Sequence, residues 1–305
     1  MNDQELRGII VAVTTPTTGS EEVDEAAFRK HLRRLIRSRV HSVFVGGSAG
    51  EGPLLPGAQW RRMAEIACDE VRGEVPLLGG AMDTSAGKVC EKVRLLRGLG
   101  YRYVVVTPTF YVAATTPAEH LRLFGQVKEA AGDMELIAYN IPQCTGTTLP
   151  LNTVCEMATR GWIRYCKESS GNWPYLAEMI ARGKDCGLGV LTGDEMTAGD
   201  ALLAGARGVV PGFANYDPAP YVRLYAAAMG GNHSEMADAM ARIRLLRETI
   251  HACSPCWLAG MKYAVAALES GLGNPLSPLE PCDAQGRACI DALVKADLAA
   301  KRVLP

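Results

Sequence analysis

The sequence predicts a (β/α)8 TIM barrel followed by a C-terminal helical appendage, and three observations carry that expectation. Short β-branched segments recur eight times, helical periodicity fills the intervals between them, and the helical pattern continues well past the eighth segment. The predicted strands are residues 9–14, 42–45, 76–82, 103–107, 135–140, 163–169, 188–192 and 208–211, about 25 to 35 residues apart, which is the spacing of βα units. Helices are expected between them, for example at 26–39, 59–72, 84–99 and 117–131. An open doubly wound sheet would carry GxGxxG after its first strand, and that fingerprint is absent here. After the last strand, residues 218–229, 234–249, 255–270 and 283–300 supply more helix than one βα unit needs. The expected organisation is a barrel domain over 1–230 and a helical region over 231–305, joined at Gly230-Gly231-Asn232 without a flexible linker.

Length and composition agree with one barrel and a short addition. The chain has 305 residues, against about 250 for a typical barrel of this kind. It is 48% hydrophobic and 21% charged, as a folded globular protein is. A formal net charge of -1 provides no field for nucleic acid or an anionic membrane. The basic run at 29–39 alternates with apolar residues at helical spacing and reads as a solvated helix face. The opening MNDQELRGIIVAVTTP lacks the charged and apolar pattern of a leader, and no window approaches the roughly 18 apolar residues that span a bilayer, so cytoplasmic residence is expected. The ten cysteines are scattered and read mostly as small core residues of a reducing compartment. Cys253 and Cys256 form a lone CxxC, which lacks the second pair or nearby histidine of a zinc site.

In such a barrel the chemistry lies at the C-terminal ends of the strands, which leaves few positions to inspect. Histidine is missing from them: His31, His41, His120, His233 and His251 fall on predicted helices, their ends, or the lead into the second strand. A metal-dependent barrel is disfavoured for that reason, and no metal is expected. Asp194 and Glu195 adjoin at the end of the seventh strand and read either as cation ligands or as the acidic start of a helix. Eight of the nine lysines (30, 88, 92, 128, 184, 262, 295 and 301) sit on predicted helical segments as solvated ammonium groups. Lys167 stands inside a predicted strand, where alternation places it on one face with Ile163 and Tyr165. An interior location would disfavour its charged form and free the amine to attack a ketone, whereas a neighbouring carboxylate would make it one half of an ion pair; periodicity leaves both open. Tyr139 closes the preceding strand and can face inward beside it, either as a proton relay or as a rim aromatic. The loop Gly46-Gly47-Ser48-Ala49-Gly50-Glu51 offers backbone N–H groups to a carboxylate, or is a plain turn.

Taken together, Gly47-Ser48-Ala49-Gly50-Glu51, Tyr139-Asn140-Ile141-Pro142-x-x-Thr145-Gly146 and Lys167-Glu168-Ser169-Ser170-Gly171 resemble the dihydrodipicolinate synthase and N-acetylneuraminate lyase superfamily. Gly193-Asp194-Glu195 and Gly208-Val209-Val210-Pro211-Gly212-Phe213-Ala214-Asn215 extend the resemblance over nearly the whole chain. It implies a homotetramer that needs no cofactor, with Lys167 forming an imine with pyruvate, Tyr139 shuttling protons and Ser48 holding the 2-oxo acid carboxylate. It also places Ala49, Gly50, Tyr111, Cys144, Thr145, Gly193, Glu195 and Val210 around the substrate. Three positions depart from the pattern. Ala49 replaces a common second hydroxyl residue; Phe110 occupies the place of a tyrosine that reaches a neighbouring subunit, with Tyr111 one step beyond; and Cys144 replaces the arginine with which synthases grip an aldehyde's carboxylate. The expected activity is therefore aldol cleavage or dehydration of a 2-keto-3-deoxy sugar acid or similar substituted 2-oxo acid. N-acetylneuraminate lyase, dihydrodipicolinate synthase and a non-catalytic 2-oxo acid binding barrel are the alternatives.

Overall fold

The computed structural model describes residues 5–254, 256–269 and 273–303. Among the described residues, eight parallel strands close a barrel in chain order, the eighth pairing back onto the first. The first half runs β1 (Gly8–Ala12), α1 (Glu25–Arg37), β2 (Ser42–Val45), α2 (Gly57–Val71), β3 (Leu77–Gly80), α3 (Ala86–Gly98), β4 (Tyr103–Val106) and α4 (Pro117–Ala131). The second half runs β5 (Glu135–Asn140), α5 (Pro142–Thr145), α6 (Leu151–Thr159), β6 (Tyr165–Glu168), α7 (Trp173–Cys186), β7 (Gly189–Thr192), α8 (Ala198–Ala204), β8 (Gly208–Val209) and α9 (Ala219–Met229). Three further helices follow, α10 (His233–Ala252), α11 (Trp257–Glu269) and α12 (Ala284–Ala299). Pro255 and Ser270, the ends of the helix expected at 255–270, lie outside the described residues.

Helix starts are written locally. Asp24, Ser85, Thr116, Asn172, Asn232 and Asp283 each stand just ahead of a helix and accept a backbone N–H of its first turn, which an aliphatic residue could not do. Thr116 and Glu119 complete a reciprocal capping box, with Pro117 at the first helical position.

Alternation along the strands sorts side chains into two cores. Ile9, Val11, Val43, Val45, Val104, Val106, Leu136 and Ala138 point outward into the layer beneath the helices. Ile10, Ala12, Phe44, Tyr103, Val105, Ile137, Tyr139, Tyr165 and Leu191 fill the barrel. Leu246 and Ile250 of α10, Leu258 and Met261 of α11, and Ile290 and Val294 of α12 belong to this same inner cluster, so the C-terminal helices continue the barrel's own core. The short β8 is reinforced by Asn215. Its Oδ1 accepts the Thr14 N–H at 3.0 Å, while its amide nitrogen donates to the carbonyls of Ala12 at 2.7 Å and Gly212 at 2.6 Å.

Three expectations need correction. Ile163 packs with the outer cluster instead of sharing the inner face with Tyr165, because pairing begins only at Tyr165 and the residues before it are free of strand alternation. Lys262 is buried rather than solvated: α11 turns that face onto the barrel, where the ammonium pairs with Glu51 and Glu51 also accepts the Leu276 N–H at 2.6 Å. Burial lowers the Lys262 pKa, and Glu51 opposes that effect. Cys253 pairs with Cys289 as a disulfide, Cα atoms 6.2 Å apart, since the end of α10 meets α12 although 36 residues separate them in sequence. Among the described residues no helix is long and apolar enough to cross a membrane.

Candidate active site

Strand register brings the two central residues together. Tyr139 on β5 is the direct partner of Lys167 on β6, and both face the barrel interior at its C-terminal end. The Lys167 ammonium nitrogen lies 4.1 Å from the centre of the Tyr139 ring and 5.2 Å from that of Phe44. Lys167 is 5% exposed, and among the described residues its side chain makes no hydrogen bond or ion pair. Of the two readings open for this lysine, the ion pair is not formed among the described residues. The outward neighbours on the same strands are tied to each other: Asn140 donates to Glu168 at 3.0 Å, Glu168 accepts the Ser170 N–H at 2.8 Å, and Asn140 accepts the Leu149 N–H at 3.0 Å. Burial raises the Glu168 pKa, opposed by Ser170 and Asn140. Those bonds hold the strand ends on which Tyr139 and Lys167 are mounted.

A cavity of about 350 Å³ opens over the lysine, within the range of small-molecule sites. Of the residues expected around a substrate, Ser48, Ala49, Tyr139, Cys144, Lys167, Gly193, Glu195 and Val210 line it. Cys144 sits on α5, at the mouth. Enclosure raises its thiol pKa, while Lys167 and the Ser48 hydroxyl pull it down, so position 144 addresses the same space as the amine. Gly193 is required by close approach, for a Cβ there would stand 2.9 Å from the Lys167 Cε and 1.9 Å from the Ser169 hydroxyl.

Gly50, Thr145 and Tyr111 do not line the cavity. Gly50 is locked beneath the loop, its carbonyl accepting the Thr15 hydroxyl at 2.7 Å. Thr145 is buried and donates to the carbonyls of Ile141 at 3.2 Å and Thr147 at 2.9 Å, which closes the one-turn helix α5. Tyr111 is 94% exposed at φ +74°, while Phe110 packs against the inner core. Glu195 lines the cavity with its carboxylate already committed. One oxygen accepts the N–H groups of Gly212 at 2.6 Å and Phe213 at 3.0 Å, and the other accepts the Tyr221 hydroxyl. Those bonds brace the turn after β8; burial raises the Glu195 pKa, against the donors that lower it. Asp194 accepts the Met196 N–H at 3.1 Å and the Thr197 hydroxyl at 3.0 Å, the behaviour of a residue opening a helix. No group of three His, Cys, Asp or Glu among the described residues is placed to hold a metal.

Residues from beyond the barrel complete the wall: Arg247 and His251 of α10 and Trp257 at the start of α11. Nothing in their local sequence announces this. A helical pattern states that a helix exists, not which of its faces overlooks a cavity formed by strands at least 38 residues earlier in the chain, between Val209 and Arg247.

A closed (β/α)8 barrel whose strand ends present an unpaired lysine beside a tyrosine defines the class, that of barrel proteins with a small-molecule site at the C-terminal face of the sheet. Within it, the chain belongs to the dihydrodipicolinate synthetase family, whose family model matches residues 5–297. It is 33% identical over 232 residues to the 4-hydroxy-tetrahydrodipicolinate synthase of Methanothermobacter thermautotrophicus, covering 74% of this chain and 81% of the relative. An uncharacterized DapA-like lyase of Halobacterium salinarum is 29% identical over 289 residues, 94% of this chain and 92% of its own. Among solved structures, the dihydrodipicolinate synthase of Bacteroides thetaiotaomicron superposes with a TM-score of 0.91 at 26% identity, over 97% of this chain and all (100%) of that one. A prophage protein of the dihydrodipicolinic acid synthase family from E. coli K12, solved in complex with pyruvate, gives 0.90 at 24% identity, over 95% and 98%.

Proposed function

We propose that this protein is a Schiff-base-forming lyase that acts on pyruvate and a 2-keto-3-deoxy sugar acid or similar substituted 2-oxo acid. The observation that carries the reading is Lys167 itself, buried under the cavity, without a carboxylate partner among the described residues, and resting on the ring of Tyr139. A neutral amine there attacks the ketone carbon, giving a carbinolamine; loss of water leaves an iminium. Tyr139 passes protons between the nitrogen and the departing oxygen. The positive nitrogen then takes up the electron pair when the adjacent carbon loses a proton, or when its C–C bond breaks as the hydroxyl beyond that bond gives up its proton and the fragment departs as an aldehyde. Protonation of the enamine, or loss of a hydroxyl from it as water, returns the pair, and water hydrolyses the iminium to free the product and Lys167. Ser48, with the N–H groups of Ser48 and Ala49, holds the 2-oxo acid's carboxylate. No cofactor enters this scheme. The working form in this reading is a homotetramer, in which the exposed Tyr111 is available to a neighbouring subunit.

A second reading, 4-hydroxy-tetrahydrodipicolinate synthase, is favoured by the names of the relatives. Against it stands Cys144, because a short uncharged thiol cannot replace an arginine's paired hydrogen bonds to a carboxylate. The test of the first reading is borohydride reduction in the presence of pyruvate, followed by mass spectrometry. A single adduct mapping to Lys167, absent from Lys167→Ala, is expected. Labelling of another lysine in that variant would overturn the assignment. Condensation of pyruvate with aspartate semialdehyde at the efficiency of a dedicated synthase would move the second reading to first.

A further inference from the structure

Arg247 brings a positive charge to the cavity wall. It is half-buried on α10, lines the wall, and among the described residues makes no hydrogen bond or ion pair. The other inward-facing arginines are paired: Arg34 bonds to Glu269, and Arg242 bonds to Asp217 at 3.1 Å and Asp297 at 2.7 Å. The acids on the same wall offer Arg247 little. Glu195 is saturated by two N–H groups and the Tyr221 hydroxyl, and Asp194 by Met196 and Thr197. A guanidinium carries five donors in a planar fork suited to carboxylate or phosphate oxygens, so its donors remain available to whatever enters.

Charge accounting inside the cavity sharpens this. In the Schiff-base reading, on which the inference rests, the iminium at Lys167 is balanced by the 2-oxo acid's own carboxylate. Arg247 is then a second positive charge on the wall; it lowers the pKa of Glu195 through space, but the Glu195 oxygens are already bonded to Gly212, Phe213 and Tyr221. Beside it, Trp257 is braced against Phe213, ring centres 6.1 Å apart, and gives an apolar surface along which a carbon chain can lie.

We propose that Arg247 binds an anionic group at the far end of the substrate, so that the substrate is a 2-oxo acid charged at both ends, whether by a second carboxylate or by a phosphate ester.

Competition against the trapping of isotopically labelled pyruvate tests this without knowledge of the natural reaction. Pairs of equal length are compared: 2-oxoglutarate with 2-oxopentanoate, 2-oxoadipate with 2-oxohexanoate, and 2-keto-3-deoxy-6-phosphogluconate with 2-keto-3-deoxygluconate. The charged member should halve trapping at about tenfold to hundredfold lower concentration than its uncharged partner, the scale of one charge-assisted hydrogen-bonded contact. Arg247→Ala should bring that ratio to near one, and Arg247→Lys should restore part of it. A preference confined to the diacids identifies the far group as carboxylate; one confined to the last pair identifies phosphate. Labelled pyruvate trapped normally, but with no preference in any pair or with the preference intact in Arg247→Ala, overturns the inference and leaves the Schiff-base reading standing. Failure of the unmodified protein to trap pyruvate overturns both.

Discussion

Gly193 and Tyr139 bound the space in which the Lys167 side chain lies, one by having no side chain and the other by offering a ring. A methyl group at 193 would meet the Ser169 hydroxyl at 1.9 Å and the Lys167 Cε at 2.9 Å, so both side chains must shift to admit it. Gly193→Ala should therefore slow pyruvate trapping by roughly tenfold to a hundredfold, the cost of displacing a reacting group by about an ångström. Thermal unfolding measured on the same sample separates displacement from loss of fold, and an unchanged trapping rate would mean that the amine has room to spare. Tyr139→Phe keeps the ring 4.1 Å from the ammonium and removes only the hydroxyl. The adduct should still form, with turnover reduced by roughly 10² or more, as for other lost proton-transfer groups; full turnover would remove the phenol from the mechanism.

Among elements, the weakest closure is also the most heavily bonded. β8 contributes two residues, and the deficit is met by Asn215, which the His31 ring contacts at 2.8 Å while its other nitrogen contacts Glu269 at 2.8 Å. Arg34 bonds to Glu269 as well, so α1, α11 and the turn after β8 meet at one buried carboxylate. Burial pushes Glu269 up, but His31 and Arg34 outweigh it and hold its pKa at about 2, below the ordinary 4.5. A depressed acid stabilises the fold fully above its unfolded value and loses that contribution as pH falls through the folded one. The margin of the natural chain over Glu269→Gln in denaturant unfolding should thus be on the order of 3 kcal/mol above pH 4.5 and shrink toward zero near pH 2. The acids that burial raises, Glu168, Glu195 and Asp217, act with the opposite sign but are common to both proteins and cancel in the difference. A margin independent of pH would refute the ionic account. None of this network was legible in the sequence: His31 and Glu269 stand 238 residues apart, and each sits on a helix whose pattern specifies burial but no partner.

For the whole molecule, the helices past Gly230 do not form a separate body, because Leu246, Ile250, Leu258 and Met261 pack in the same cluster as Ile10, Phe44 and Tyr139. Calorimetry and near-ultraviolet dichroism should accordingly record one cooperative transition for barrel and appendage together; two resolved transitions would show that the appendage folds by itself. The barrel was readable from the sequence, and a period of two allowed Tyr139 and Lys167 to point inward from adjacent strands, but their roles came only with the family resemblance; β5 ends where its alternation does, at Asn140. The rim was not, because which face of α10 overlooks the cavity is decided by how the C-terminal helices dock, a long-range matter that no local period records. That division of labour bears on substrate choice. Lys167 and Tyr139 lie against the packed interior of the barrel and the bare Cα of Gly193, whereas Arg247, His251 and Trp257 stand half-buried or exposed on helices that carry no strand register. If the proposed chemistry holds, exchanges along the short stretch from Arg247 to Trp257 should change which substrates are accepted without disturbing the lysine that reacts with them.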